Sequence, residues 1–560
     1  MLSALRFLLA ALAATTLACS VGDLEPDRAR GEAAHALAVE AERSTAEAPS
    51  QPLLAQQEPT SAAPLPDSAP VESAPFSSKK TVDLWVRGGS VLDGSGGPAR
   101  AADVVVDDGR IVHVGLVDPE LRARATLDAH GLTVTPGFID AHAHSDPTQP
   151  VDHLLAMGVT TIVVGQDGWS PANRIGRYLT GLERQGLRVN VASLVGHATV
   201  RSLAEAHAKP TEDELARMAE LVDSAMEDGA FGLSSGLEYD PGSVAKAGEL
   251  AAIARPVGAR GGVVMSHLRS EDDGAIDAAI DELADQCEAS GARMHIAHLK
   301  IVEGRGAERA RRLLGHLDEL RARGLRVTAD VYPYVASHTT IGILFPAFAR
   351  PPNDYAAART RRRVELLDYL RDRVNRRFGP EATHLDSGKW VGRTLAEAAE
   401  VSGLPFEELL AEMGPTGAEA TYFVIDEDVM RALLADANTM LGTDGSLATS
   451  HPRGHGTFAR VMGRYVRDER VLTLPEAVRK ATSLAADTIG LTGRGRLARG
   501  YAADLVVFDP ASITDHATFE APAARSTGVE LVVVGGVIEW RDGVAVRGKG
   551  GRALRRGSSR

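Results

Sequence analysis

Two histidines separated by a single residue follow an apolar stretch in the first third of the chain. His142 and His144 come directly after the run TPGFID. On a β-strand, side chains at positions i and i+2 project from the same face, so both imidazoles can approach one cation. A divalent metal at a strand end, beside open loops, is a common way to build a hydrolase. The pair alone is weak evidence, because the chain contains 17 histidines in 560 residues.

Further side chains of types that bind metals lie at or just after the ends of other apolar runs, as His142 and His144 do. They are Asp167, His267, His298 with Lys300, and Asp444. Together with the histidine pair they make a complete hydrolytic metal site, collected from five predicted strands. His295 lies three positions before His298, so we expect it to face the surrounding helices as a structural histidine. Six other histidines lack this placement and are expected at the surface, namely His113, His130, His153, His207, His316 and His384.

The elements that must position these side chains alternate between strand and helix patterns. The helices carry start signals, such as Thr211 followed by Glu214, and Thr473 followed by Glu476 with Pro475 in the first turn. Near-continuous apolar strands alternating with helices predict an α/β fold, a TIM-like (β/α)8 barrel with its active site at the carboxyl ends of the strands. The eight strand candidates are Leu132–Ile139, Val159–Val164, Val189–Val195, Phe231–Ser235, Gly262–Ser266, Arg293–Ala297, Arg326–Val331 and Met440–Gly442.

Both ends of the globular region are rich in short β-patterns separated by Gly-containing turns. We therefore predict that residues 81–135 and 496–547 pair as one small composite β-sandwich, with the barrel at 136–495 between them. The gap between the last two barrel strands is far longer than a usual connection. Residues of about 342–439 are thus expected to form a lid-like insertion over the barrel mouth.

The chain termini and the net charge constrain the location and the partners. Residues 1–19 have the charge and apolar pattern of an export signal and are too short to span a membrane. Cys19 predicts a lipid anchor of a periplasmic or cell-envelope lipoprotein, with simple cleavage as the alternative. Residues 20–80 are predicted to be a disordered tether, and 548–560 a basic disordered tail. The net charge of −14 argues against a nucleic-acid partner. We expect contact with a membrane only through the lipid anchor at Cys19.

In combination, several motifs carry a resemblance to a known family. These are VTPGFIDAHAHSD, GVTTIVVG, GLSSGLEYDPG, SHLRSE, IAHLK, ADVYPY, GTDG, HPRGHGTFARV and ADLVVFDP, spread over roughly 82–546. The chain resembles the amidohydrolase superfamily, and within it the D-aminoacylases (N-acyl-D-amino-acid deacylases). The resemblance implies a metal-bearing barrel with a β-sandwich built from both chain ends, which agrees with the layout predicted above.

The resemblance also implies roles for the strand-end residues. His142 and His144 would bind one metal position, and His267 and His298 the other. Asp444 would be both a ligand and the general base that moves a proton from the attacking water to the leaving amine. The implied cofactor is Zn²⁺, as one or two ions, because zinc makes hydroxide available near neutral pH.

One departure from the family pattern concerns the turn after the second strand. D-aminoacylases usually carry a cysteine ligand there, where this chain has Asp167. A carboxylate is an acceptable zinc ligand, so Asp167 is our candidate, with a purely turn-forming role as the alternative and Glu238 as the rival bridging carboxylate. The fourth strand offers no lysine, which argues against a relative acting on cyclic amides.

The same resemblance implies a clamp for the carboxylate of an amino acid. Lys300, Tyr332 and Arg453 stand at the family's positions, and the planar fork of arginine suits a carboxylate. A surface-loop role for Arg453 is the alternative. His338 replaces a serine that the family uses near the carboxylate, so the pocket is expected to differ.

These implications favour metal-dependent hydrolysis of a linear amide, namely deacylation of N-acyl-D-amino acids. The alternatives are a dipeptidase acting on small D-amino-acid-containing peptides and, less favoured, a surface binding protein without catalysis. The expected partner is a small N-acyl amino acid or short peptide. The sequence leaves the oligomeric state, the acyl preference and the stereochemistry open.

Overall fold

Eight parallel strands form a closed barrel at the centre of the protein, which confirms the predicted (β/α)8 fold. The computed structural model describes residues 72–447 and 450–558. Strands that follow each other in the chain are neighbours, and the ring closes where the Ala141 N–H donates to the Leu441 carbonyl over 3.3 Å. The barrel strands are Phe138–Asp140, Val159–Val164, Asn190–Ser193 with Val195–Gly196, Gly232–Gly236, Val263–His267, Arg293–Ile296, Val327–Val331 and Thr439–Leu441.

Helices pack around the barrel and leave its strands buried on both faces. The strand Val159–Val164, for example, is buried at every position, as its unbroken apolar and threonine sequence requires. Both predicted start signals are confirmed: Thr211 and Glu214 form a reciprocal cap, and the Thr473 side chain accepts from the Glu476 N–H. The barrel helices are Asp152–Ala156, Ile175–Gln185, His197–Leu203, Glu212–Glu227, Ala247–Ala259, Ile276–Ser290, Gly306–Ala322, Glu427–Ala435, Arg453–Arg460 (continued as a π-helix, Val461–Asp468), Leu474–Ala481 and Ser483–Ile489.

A ten-stranded β-domain is assembled from both ends of the described chain. The link is Thr133–Pro136, which runs parallel to Val82–Val91 on one side and antiparallel to Leu505–Phe508 on the other. Side chains from the two ends also share one apolar core. The remaining strands are Glu72–Phe76, Arg100–Asp107, Arg110–Val117, Ala123–Asp128, Val529–Val534, Val537–Arg541 and Val544–Ala545.

The first predicted strand, Leu132–Ile139, divides between these two parts of the fold. Its first half joins the β-domain, and its second half begins the barrel after Gly137. A Cβ atom at Gly137 would lie 2.1 Å from the Thr160 hydroxyl, so the close approach of the neighbouring strand requires glycine here.

The long connection between the last two barrel strands folds as a separate layer. Its antiparallel sheet has the order Ser337–Thr340, Glu419–Tyr422, Thr383–Leu385, Arg393–Thr394. The insertion therefore begins earlier than the predicted residue 342. It also ends earlier than 439, because Glu427–Ala435 packs on Gly306–Ala322 as a barrel helix. Its helices are Tyr355–Arg361, Arg363–Arg376, Leu395–Ser402 and Phe406–Met413, with short 3₁₀ turns at Ile341–Leu344, Ala347–Ala349, Pro380–Ala382 and Gly388–Trp390.

The basic segment after residue 547 is ordered, so the prediction of a disordered tail is wrong for 548–558. The Gly551 N–H donates to the Leu187 carbonyl, and the Val191 N–H donates to the Arg552 carbonyl, each over 2.9 Å. Leu554 is 5% exposed and packs with Phe231 at the start of the fourth strand. Charge and glycine dominate the composition here and concealed one short apolar pair, Ala553–Leu554.

The predicted tether at 20–80 is also too long at its end. Glu72–Phe76 is a strand that pairs in parallel with Arg110–Val117. The predicted export signal and Cys19 lie outside the described residues. Within those residues, the helices are all too short or too polar to cross a bilayer.

Candidate metal centre and substrate pocket

The five strands predicted to carry ligands bring them to one rim of the barrel. His142 and His144 follow the first strand, Asp167 follows the second, and His267 ends the fifth. His298 and Asp444 come two and three residues after the sixth and eighth strands. Because all eight strands are parallel, their carboxyl ends share one face of the barrel, and the side chains converge there.

The first ligand group consists of His142, His144, Asp167 and Asp444, whose donor atoms all lie within 4.8 Å of one another. His142 Nε2 is 3.6 Å from both Asp167 Oδ2 and Asp444 Oδ1. His144 Nε2 is 3.2 Å from the same two oxygens. Two imidazoles and two carboxylates thus surround one space large enough for a cation.

A second group shares Asp167 with the first. Asp167 Oδ1 is 3.5 Å from His298 Nε2, and His298 Nε2 is 2.9 Å from His267 Nδ1. Asp167 therefore turns one carboxylate oxygen to each group. The arrangement provides places for one or two ions, with Asp167 between them.

The donor atoms fit zinc. Both ring nitrogens of His142 and the Oδ1 atom of Asp167 are buried and have no hydrogen-bond partner among the described residues. Buried polar atoms almost always have a partner, so these atoms are arranged for something other than the protein. Imidazole nitrogens and carboxylate oxygens in a compact, mixed set are ligands that zinc accepts.

Three of these residues adopt a backbone conformation that is unusual for residues other than glycine. The φ angles of Asp167, His298 and Asp444 are +51°, +34° and +48°. Such conformations cost of order 1–3 kcal/mol each and persist only where the surrounding structure fixes them. Their concentration at this rim marks it as the functional end of the barrel.

The charged groups of the centre hold each other in ionised form. Burial opposes ionisation of Asp444, but the charges of Arg453 and His298 outweigh it, so the pKa of Asp444 lies well below its usual value. The pKa of Asp167 is lowered in the same way by His142 and His298. Burial and Lys300 lower the pKa of His298, yet the nearby carboxylates raise it to about 9. A cation bound among these atoms replaces the imidazole protons.

Asp330 supports the centre and was not found by sequence reasoning. Its Oδ2 atom is 2.8 Å from His295 Nε2 and 3.6 Å from His142 Nδ1, and its Oδ1 atom accepts from the His298 N–H over 3.0 Å. His295 is fully buried and hydrogen-bonded on both nitrogens, as expected of a structural histidine. It shares a strand face with Met265 inside the barrel, so the prediction that it faces the surrounding helices is wrong. The motif ADVYPY contained Asp330, but a buried aspartate inside a strand has no spacing signal that separates it from core residues.

Glu238 contacts the outer side of the second group. Its Oε2 atom is 3.1 Å from His267 Nε2, the nitrogen opposite to the one that faces His298, and its Oε1 atom is 3.3 Å from Arg373. This places Glu238 behind His267, whereas Asp167 lies between the two groups. Glu271, another residue that sequence reasoning missed, accepts from Lys300 Nζ over 2.6 Å and lies 3.0 Å from His298 Nδ1.

The residues of the predicted carboxylate clamp lie together beside the metal centre. Lys300 Nζ is 5.9 Å and the Arg453 guanidinium 4.8 Å from the ring centre of Tyr332. Arg453 also pairs with Asp444 over 2.6 Å. All three clamp residues are buried, and the Tyr332 hydroxyl and Arg453 Nε have no partner within the described structure. Arg453 is thus not a surface-loop residue.

A cavity of about 590 Å³ opens above the centre and the clamp. His338 lines it, with Nε2 3.3 Å from Asp386 Oδ2. The insertion contributes much of the remaining wall, including Ile343, Arg350 and Pro415. The insertion therefore covers the barrel mouth.

Two of the histidines expected at the surface are buried instead. His113 is fully buried, and its Nε2 atom is 2.9 Å from the Leu116 carbonyl. His153 is 4% exposed and stacks on His455 with ring centres 4.7 Å apart. Neither of them is a predicted ligand, so their burial does not change the set of candidate metal-binding histidines.

A (β/α)8 barrel with a histidine–carboxylate centre at its carboxyl rim defines a class of metal-dependent hydrolases. The model of the amidohydrolase family matches residues 125–538. The chain belongs to the amidohydrolase family and is a hydrolase of amide bonds.

Relatives of known activity match over nearly their whole length. An N-acyl-D-glutamate deacylase of Alcaligenes xylosoxydans xylosoxydans is 36% identical over 510 residues, which cover 86% of this chain and 98% of the relative. A D-aminoacylase of the same organism is 34% identical, covering 87% and 99%. The crystal structure of N-acyl-D-glutamate deacylase from Bordetella bronchiseptica, complexed with zinc and a phosphonate mimic of the tetrahedral intermediate, matches with a TM-score of 0.73 and 32% identity, covering 85% and 100%.

Proposed function

We propose that the protein is a zinc-dependent deacylase of N-acyl-D-amino acids, which it converts to a carboxylate and a free D-amino acid. One observation carries this proposal: a metal centre lies directly beside a buried clamp of Lys300, Tyr332 and Arg453. That pairing suits a substrate with an amide and a carboxylate a few bonds apart. The D-configuration is supported by the activities of the relatives.

His142, His144, Asp167, His267, His298 and Asp444 would hold zinc, which would lower the pKa of a bound water and polarise the scissile carbonyl. The residues of this chain supply the remaining steps. Water adds to the carbonyl carbon, the carbon–nitrogen bond breaks, and the water proton goes to the leaving nitrogen.

We assign the proton transfer to Asp444. Its Oδ1 atom faces the two histidines of the first group, and its Oδ2 atom is held 2.6 Å from Arg453 Nη1. The Arg453 contact fixes the orientation of the carboxylate and keeps it ionised, which is the protonation state that a proton acceptor requires. Arg453 thus joins the reacting site to the clamp that holds the substrate carboxylate.

The test is hydrolysis of an N-acyl amino-acid panel in D and L forms, together with D-containing dipeptides, with and without added zinc. The expected result is zinc-dependent release of free D-amino acids, with L forms hydrolysed at least about tenfold more slowly. Faster hydrolysis of the dipeptides would replace the proposal by a dipeptidase. Absence of turnover with zinc bound would contradict it.

We also propose that the protein is exported and anchored through Cys19 in the cell envelope. The positive charge at Arg6, the apolar run after it and the sequence LACS around Cys19 support this location. The test is cell fractionation combined with labelling by a fatty-acid analogue. A Cys19→Ala variant should lose the label and leave the membrane fraction, and retention of both in that variant would contradict the anchor.

A further inference from the structure

We propose that Trp169 forms a binding subsite for an apolar or aromatic acyl group of the substrate. This inference rests on the proposed deacylase function and extends it to the acyl specificity. Trp169 follows Asp167 by two residues, so it stands beside the reacting centre on the side of the second barrel strand.

Trp169 is unusually exposed for its type. Its side chain is 50% exposed, whereas Trp85 and Trp540 are at most 5% exposed. Among the exposed large hydrophobic side chains of the described chain, Trp169 is the one that lines the active-site cavity. Ligand pockets are typically lined by aromatic and other apolar side chains, so Trp169 is available for contact with a substrate in this cavity.

The exposure of Trp169 does not result from a poorly anchored loop. The Trp169 N–H donates to the Gln166 carbonyl over 2.9 Å, and the Gln166 amide donates to two carbonyls of the first and second barrel strands. The Ser170 N–H donates to the Thr199 hydroxyl, and the Ser170 hydroxyl accepts from the Gly196 N–H. The indole is thus presented from a fixed backbone.

The clamp and Trp169 come from different parts of the barrel rim, and in the ring of eight strands the second strand lies opposite the sixth, which carries Lys300. Lys300, Tyr332 and Arg453 follow the sixth, seventh and eighth strands, and Trp169 follows the second. A substrate whose carboxylate is in the clamp and whose scissile carbonyl is at the metals has its acyl group beyond the carbonyl, away from the clamp. The substrate side chain instead branches from the carbon next to the clamped carboxylate, so the acyl group is the part directed to Trp169.

The wall of the cavity combines apolar and charged side chains. The clamp residues are buried and charged or polar, and the insertion contributes Ile343, Pro351 and Pro415 together with Arg350 and Arg377. The apolar members of this wall add to the surface that the cavity offers to an acyl chain. Aromatic surface is well suited to both aliphatic and aromatic groups.

The test compares wild type with Trp169→Ala and Trp169→Phe on two substrate series. One series keeps a single D-amino acid and changes the acyl group from acetyl to butyryl, hexanoyl and phenylacetyl. The other keeps the acetyl group and changes the amino-acid side chain. Tyr369→Ala removes an aromatic side chain of 38% exposure outside the cavity and is the matched control.

In wild type and the control, kcat/KM should rise with acyl length. Trp169→Ala should lower kcat/KM about tenfold for hexanoyl and phenylacetyl substrates and less than about twofold for acetyl substrates, whereas Trp169→Phe should retain most of the preference. Equal losses for all acyl groups, no loss, or a loss that follows the side chain would overturn the subsite. Failure of wild type to hydrolyse any member with zinc would overturn the proposed function as well.

Discussion

Asp167 holds the metal centre together because its two oxygens face two different groups of histidines. A carboxylate is suited to this position since it offers two separated donor atoms. A carboxylate is also a harder ligand than a thiolate, so it retains soft metals less strongly. Asp167 is therefore the residue on which metal retention should depend most.

Asp167→Ala should lower zinc affinity at least tenfold, because loss of even a supporting partner of a ligand typically costs about 10–100-fold. Metal content after dialysis, measured by mass spectrometry, checks this. Glu238→Gln is the control. Glu238 contacts His267 at its outer nitrogen, away from the ligand groups, so this variant should keep most of its metal. If Glu238→Gln lost more metal than Asp167→Ala, Glu238 would be the bridging ligand.

Asp444→Asn should keep the shape of the site while removing the proton acceptor. We expect kcat to fall by about 10²–10⁴, the usual contribution of a general base. Zinc content, determined on the same samples, should stay near the wild-type value because the histidines remain. The matched control is Asp428→Asn, at a carboxylate that is 66% exposed. Near-normal kcat in Asp444→Asn would contradict the assignment.

Among the structural elements, the barrel strands were predictable from the sequence, whereas the limits of the folded region at its two ends were not. Buried parallel strands have a strong apolar signal, so all eight were located, and the candidate ligands counted from their ends lie together at one rim. The supporting acids Asp330 and Glu271 were missed because their partners come from other strands, which spacing along one strand cannot reveal. Residues 548–558 were missed because two apolar side chains are too few to outweigh a basic, glycine-rich composition.

The ordered segment 548–558 should stabilise the barrel. Leu554→Ala leaves a gap beside Phe231, and such buried substitutions usually cost about 2–5 kcal/mol. Urea unfolding, monitored by circular dichroism, checks this change in the free energy of unfolding. Val544→Ala, at a side chain that is 62% exposed, should change it by less than about 0.5 kcal/mol. Equal stability of both variants would mean that the segment is only loosely attached.

In the whole molecule, His153 is buried where barrel helices pack near the β-domain. Within residues 72–447 and 450–558, neither of its ring nitrogens has a hydrogen-bond partner, and Arg525 and Asp152 are the nearby charged groups. Burial first, and His455 second, lower the pKa of His153 from 6.5 to about 3. At pH values between about 3 and 6.5, His153 is protonated in the unfolded chain but not in the folded protein, so folding stability falls as the pH decreases.

His153→Phe should remove this pH dependence while keeping an aromatic ring against His455. For each protein, the free energy of unfolding at about pH 5 is compared with its value at about pH 7.5. The loss should be about 2 kcal/mol larger in wild type than in the variant, because the His153 contribution falls by about 1.4 kcal/mol per pH unit below pH 6.5. Urea unfolding of both proteins at the two pH values measures the difference. Parallel losses in the two proteins would show that His153 is protonated in the folded state.

The antiparallel pairing of Thr133–Pro136 with Leu505–Phe508 can form only after both strands have been synthesised. Roughly 370 residues separate the partners, which at 5–20 residues per second takes about 20–70 s to synthesise. Until then Thr133–Pro136 lacks its partner on that side, and the sheet that begins the folded part cannot be completed. Until synthesis is nearly complete, the nascent chain therefore has an unpaired strand edge, the kind of edge that can pair with another chain.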